Sequence, residues 1–192
     1  MSESGTNLRI CCCDCNIPPI IWYPNTTKEK GKSVAIGILV ALVAFTAITA
    51  ISYAIQQKYP HFKPSQDAIK IFNLFKNKHP ILNTVWRATW RIFVVLIGPF
   101  LEEVLFRGVL AGKIKKWQGE VDSTVKKVIR VVVVGIIFGA MHLSPFQSGM
   151  SNLLIFGVTS GLGIVFMVIK EWRKDLLTPI TAHIAYNLMA TL

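Results

Sequence analysis

Charge is scarce in this chain: 16% of its 192 residues are Asp, Glu, Lys or Arg, where a soluble domain carries about 25%. Acid is scarcest, with 10 Asp and Glu against 21 Lys and Arg, for a net charge of +11. Cysteine is absent outside Cys11-Cys12-Cys13-Asp14-Cys15, so no partner elsewhere can complete a disulfide framework. Neighbours this close cannot readily wrap a tetrahedral zinc, which takes separated Cys pairs. Two readings of the cluster stay open: S-acylation at a membrane surface, and an uncommitted reduced tail. There is no internal repeat and no low-complexity linker. No basic stripe interleaved with aromatics offers itself to nucleic acid, and none is expected as a partner.

Apolar residues fill the space. They make up 52% of the chain, its mean hydropathy is +0.48, and they fall in blocks. Val34–Ile55 and Met150–Ile169 carry no charge, and each reaches the roughly 20 residues that cross a hydrocarbon core of about 30 Å. Further blocks at about Val85–Gly112, Val128–Leu143 and Leu176–Leu192 bring the expected count to five. The pattern predicts an all-α, multi-pass transmembrane bundle with the lipid bilayer as its solvent. The first block starts too late and is too long for a cleaved signal peptide, so it is expected to remain as an anchor.

Four regions follow. Residues 1–33 form a Cys-rich tail, with an irregular interfacial stretch at Ile17–Pro24. Residues 34–55 are the first anchor, 56–84 a connector, and 85–192 the core that carries the chemistry. Within the connector, Asp67–Asn77 is too short and too charged to cross, and reads as an amphipathic helix lying in the interface. Gly98-Pro99 is expected to kink the second span or to begin a fresh helix. Gly157 and Gly161 form a small-x-x-x-small face suited to close helix packing. Alternating the spans puts the tail, residues 113–127 and residues 170–175 on one side. All three are basic, and the positive-inside rule makes that side cytoplasmic; residues 56–84, on the other side, are basic as well.

Few ionisable groups remain at membrane depth: Glu102, Glu103, Arg107, His142 and His183, with the amide of Asn187 beside them. A charge at mid-bilayer costs about 2.5–3.5 kcal/mol on insertion scales, so such groups are functional candidates by default. On a helix Glu103 and Arg107 stand at i,i+4 and can neutralise each other. Glu102 is turned about 100° from Glu103 and faces something else. Phe138 with His142, and His183 with Asn187, each share a helix face. A lone histidine in an apolar helix is ordinarily a hydrogen-bonded packing residue. Two histidines and a carboxylate pair on three spans form a constellation.

Three chemistries fit these residue types. Glu102 can act as base on a water that His142 helps to hold, with His183 or Asn187 polarising a carbonyl oxygen. Glu and His ligands can bind a metal whose water is the nucleophile. The cluster can also couple protons or ions in a transporter. The absence of His-Glu-x-x-His argues against the zinc site-two type of intramembrane protease, and the absence of aspartate from the spans argues against an aspartyl dyad. Ser160 reads as a small packing residue rather than a nucleophile partnered by His183.

Glu102-Glu-Val-Leu-Phe-Arg107 resembles the Glu-Glu-x-x-x-Arg motif of the CAAX-protease and bacteriocin-processing family, the membrane-embedded glutamic proteases also called the Abi family. Phe138-Gly-Ala-Met-His142 is similar to its Phe-x-x-x-His motif and His183-Ile-Ala-Tyr-Asn187 to its His-x-x-x-Asn motif, in the family's order. The resemblance covers roughly residues 85–192. It implies an all-helical membrane protease opening to the cytosolic side, in which Glu102 and His142 activate water. It further implies that His183 and Asn187 stabilise the oxyanion, and that Glu103, Arg107 and Phe138 support the site. The glutamate mechanism makes a cofactor, metal included, unnecessary. The substrates implied are a peptide or a prenylated CAAX protein losing its last three residues. A non-catalytic immunity or scaffold protein of the same fold is the alternative, and a metal-dependent protease a third reading.

Overall fold

The computed structural model describes residues 24, 26–59, 80–119, 121–143 and 149–192. The Cys cluster, Ile17–Tyr23 and the interfacial helix expected at Asp67–Asn77 lie outside the described residues.

Helix α1 spans Thr27–Lys58. It starts a full two turns before the apolar block because Thr26 caps it, its hydroxyl accepting from the Glu29 N–H at 3.2 Å. From Pro80 to Trp117 the chain is helical throughout, in five consecutive segments. These are α2 (Pro80–Ile92), a π-helical turn (Phe93–Ile97), α3 (Gly98–Glu103), a second π-helical segment (Val104–Leu110) and α4 (Ala111–Trp117). The helix therefore neither ends nor restarts at Gly98-Pro99, contrary to one of the two outcomes expected there. Pro99 has no N–H to give the carbonyl four residues back. The turn before it widens instead, with the Gly98 N–H reaching the Phe93 carbonyl five residues back. Gly119, at φ +84°, lies just past the end of α4 in the left-handed conformation that suits glycine.

Helix α5 spans Thr124–Ala140 and is capped by Ser123, whose hydroxyl accepts from the Lys126 N–H at 3.3 Å. Helix α6 spans Gly149–Arg173. Lys174, at φ +60°, turns the chain into α7, Leu177–Thr191. There Asp175 accepts from both the N–H and the hydroxyl of Thr178, at 2.8 and 2.9 Å. The described residues contain no strand, and the fold is an all-α bundle.

Helix α1 packs along α7, α5 along α6, and α6 against α7, while the first π turn and α3 lean on α7. Two apolar cores result. One joins Phe106, Ala111, Val134, Phe138 and Met167; the other joins Leu162, Phe166, Ile169 and Ala182, with Val40 and Tyr186 packed on it. The α5–α6 approach depends on Gly135, Gly139 and Gly163. A Cβ on Gly163 would stand 3.0 Å from the Gly135 backbone and 3.1 Å from Phe138. Ser160 is buried against Gly139, in keeping with a small packing residue. Gly157 and Gly161 do not serve the close contact expected of them, since a Cβ on either would meet nothing within 4 Å. They face the apolar groove between α6 and α1 instead.

Helices α1 and α6 are long and apolar enough to cross a membrane. Leu39, Val43 and Ile51 of α1 are more than half exposed, an apolar surface that lipid rather than water accommodates. Helices α5 and α7, at 17 and 15 residues, are shorter than a full perpendicular span. At one end of the bundle three segments are tied by charge. Arg173 lies 3.2 Å from Glu29, and Ser33 donates to Asp175 at 3.0 Å. The fully buried Arg130 reaches both Asp122 and Glu171 at 3.2 Å. The start of α1, the α4–α5 turn and the α6–α7 turn thus share that end.

Candidate active site

Three helical elements and one turn bring the polar groups together: α3 carries Glu102 and Glu103, the second π segment Arg107, α7 His183 and Asn187, and the turn after α5 His142. Glu103 and Arg107 are both wholly buried, with Arg107 Nη1 3.0 Å from Glu103 Oε1. Arg107 Nη2 donates to the Gly163 carbonyl at 3.0 Å. Its guanidinium lies over three rings, with Cζ 4.4 Å from the centroid of Phe138, 5.5 Å from Phe166 and 5.9 Å from Phe106. This aromatic box, the Gly163 carbonyl and the opposing carboxylate replace the water that a buried guanidinium gives up. Phe138 is thus a wall of the arginine's chamber. Phe106 and Phe166, its other walls, carry no signal in a sequence already rich in apolar residues.

Glu103 Oε1 also accepts from His183 Nδ1 at 2.9 Å. His142 is not inside α5 as its apolar block suggested. It stands one turn past Phe138, beyond the helix end, and its Nδ1 lies 2.8 Å from the Phe138 carbonyl. A carbonyl only accepts, so Nδ1 carries a hydrogen and Nε2 is turned inward. Both histidines therefore present Nε2 to the same atom. Glu102 Oε2 lies 3.8 Å from that of His142 and 3.9 Å from that of His183. These separations are too long for direct hydrogen bonds and suit a shared third partner. Glu102 Oε2 is itself closed off from solvent and makes no hydrogen bond to the protein. Glu102 and His142 are each about a third exposed as side chains; they form the open edge of the site and Glu103, Arg107 and His183 its floor.

Asn187 lies one turn along α7 from His183, but its Nδ2 donates to the Val94 carbonyl in the first π turn, at 2.9 Å. Among the described residues no group of three or more His, Cys, Asp or Glu side chains is arranged to hold a metal ion.

An all-α bundle with apolar outer faces and a buried carboxylate–histidine–arginine cluster defines a membrane-embedded protein with a polar interior chamber. The family model described as type II CAAX prenyl endopeptidase Rce1-like matches residues 84–189, more than half of the chain, and the chain belongs to that family. Over 96 residues it is 31% identical to the membrane-embedded CAAX protease MroQ of Staphylococcus aureus (strain USA300), covering 50% of this chain and 35% of that protein. It is 29% identical over 92 residues to the uncharacterized protein YpbD of Bacillus subtilis (strain 168), covering 48% of this chain and 39% of that one. The chain thus spans little more than a third of the length of these curated relatives. No solved structure matches.

Proposed function

We propose that this protein is a membrane-embedded endopeptidase that hydrolyses a peptide bond with water activated by Glu102. The observation that carries the reading is the convergence of two imidazole Nε2 atoms on Glu102 Oε2, at 3.8 and 3.9 Å. A water between Glu102 and His142 gives its proton to the carboxylate as its oxygen attacks the carbonyl carbon, with His142 Nε2 holding the second hydrogen. His183 donates Nδ1–H to Glu103 and, when Nε2 carries a proton, offers it to the developing oxyanion. Glu103 fixes that ring, and the Arg107 guanidinium, 3.0 Å away, is the counter-charge of Glu103. Collapse of the tetrahedral intermediate returns the proton from Glu102 to the leaving amine.

The substrate proposed is a prenylated CAAX protein losing its C-terminal tripeptide, in line with the family. A test is cleavage of a quenched farnesylated CAAX peptide by the purified protein, with Glu102→Gln as control and a chelator arm. Turnover lost in the mutant and indifferent to chelator is expected. Turnover retained by Glu102→Gln would overturn the mechanism. A well-folded wild type that ignores every CAAX peptide would remove that substrate and favour a non-catalytic binding role.

We also propose five spans with the N-terminus in the cytosol, supported by the basic segments that meet at the Glu29–Arg173 end. His142 then lies twelve residues on from Arg130, just past the end of α5, roughly 18 Å away at 1.5 Å per residue; on this orientation the open edge of the site faces the distal half of the bilayer, against the cytosolic opening that the resemblance implies. Thiol labelling in sealed cells of single cysteines placed at Lys115 and Ser151, in a background lacking the native cysteines, reports both ends. Cytosolic protection at Ser151 would invert this orientation.

A further inference from the structure

Pro99 creates a problem in the helix, and Asn187 sits where the problem is solved. In an α-helix the Val94 carbonyl would accept from the Gly98 N–H, but that N–H is engaged by Phe93. In the π register its partner would be the N–H of residue 99, which is proline and has none. The Val94 carbonyl thus has no helical donor in either register. At membrane depth water cannot fill the gap, and helix-breaking prolines are tolerated where a neighbouring side chain re-satisfies the freed group. The side chain that does so here is Asn187, donating Nδ2 to Val94 O at 2.9 Å from a helix 93 positions away in sequence.

We infer that Asn187 is a positioning residue: it staples α7 to the π turn that Pro99 imposes, and so sets the direction in which Glu102, one turn beyond, enters the site. The inference rests on the proposed function only in taking Glu102 as the base. One amide N–H is committed to this contact, so the amide plane is set by the backbone it holds rather than by a bound substrate. The lever is geometric. Glu102 follows Pro99 by three residues, so a change in the π turn rotates the carboxylate away from the two histidine Nε2 atoms.

The test is a double-mutant cycle on the full chain in detergent, comparing wild type, Asn187→Ala, Pro99→Ala and the double mutant. In the Pro99 background, Asn187→Ala leaves a part-buried acceptor unpaired and is expected to lower Tm by roughly 2–10 °C. In the Pro99→Ala background the helix supplies a donor to Val94 O in either register, and Asn187→Ala is expected to cost less than half as much. The Val94 carbonyl carbon, one of four followed by a valine in valine-labelled protein and assigned by its loss in Val95→Ile, shifts in Asn187→Ala. With a peptide substrate, kcat of Asn187→Ala falls by roughly tenfold or more while KM stays within about twofold, as expected when a catalytic group is misplaced by a fraction of an ångström.

Equal Tm losses in both backgrounds, or an unmoved Val94 carbonyl, would overturn the staple. A shifted carbonyl with unchanged kcat would overturn the positioning role. If Asn187→Ala does not accumulate, recovery of folded protein on adding Pro99→Ala supports the inference, and failure to recover it counts against it. The melts and the carbonyl shift need no substrate, so they stand or fall separately from the protease reading.

Discussion

Replacing Arg107 by methionine removes the charge and keeps most of the side-chain length. The wild-type guanidinium is fully buried, 3.0 Å from Glu103 and hydrogen-bonded to the Gly163 carbonyl, with Phe138, Phe166 and Phe106 around it. Its loss strands a carboxylate whose remaining partner is His183, and leaves the Gly163 carbonyl without its arginine donor. Breaking a buried pair in this one-sided way costs about 3–5 kcal/mol. At about 2–4 °C per kcal/mol for a chain of this size, the expected drop in Tm is roughly 6–20 °C. The assay is a thermal melt in detergent followed by intrinsic tryptophan fluorescence. The companion variant Glu103→Gln/Arg107→Met removes both charges, yet its amide oxygen can still accept from His183 Nδ1. It should therefore recover at least half of the loss, since a neutral pair carries no unpaired charge. Arg107→Met melting within about 2 °C of wild type, or a double mutant no better than the single, would refute the reasoning; the usual precision of such melts is finer than this.

Other expectations follow from the same contacts. His142→Ala should lower kcat by about 10²–10⁴, the usual worth of a positioned acid–base group, with little change in Tm, because His142 is a third exposed and lies beyond the end of α5; full turnover would remove it from the mechanism. Gly135→Ala should destabilise by about 1–3 kcal/mol through overpacking, because its Cβ would strike Ile164. Gly157→Ala, whose Cβ meets nothing, should be neutral or stabilising by up to about 1 kcal/mol from helix propensity. Melts of the two glycine variants check the contrast, and equal effects would mean that the α5–α6 contact is misplaced. Arg130→Met should loosen the α4–α5 turn from α6, read as faster proteolysis near Asp122 with α1 still protected.

The polar cluster itself was legible before any fold was known. Ionisable groups are so costly in apolar blocks that Glu102, Glu103, Arg107, His142 and His183 stand out on composition alone, and helical spacing was enough to pair Glu103 with Arg107. The glycines were legible only as glycines. Gly157 and Gly161 have the right spacing for helix contact, yet Gly135, Gly139 and Gly163 make it, because the rotation of α6 is decided by which neighbour it meets. The ion pairs at the basic end carry no signal in the sequence for a related reason. Asp122, Glu171 and Asp175 look like scattered loop acids until the turns that carry them are brought side by side.

The sequence by itself determined what is local and additive. Apolar blocks long enough for the bilayer and the need for any charge in a span to be partnered both follow from energies counted segment by segment. Only the tertiary structure decided which nitrogen of each histidine faces inward, since the Phe138 carbonyl and Glu103 select the outward one. It alone decided that the helix passes through Pro99 as a π turn, because the donor that makes this tolerable comes from Asn187 on another helix. A backbone group left unpaired in lipid must find its partner wherever the fold supplies one, and such a partner has no signature in the sequence around it.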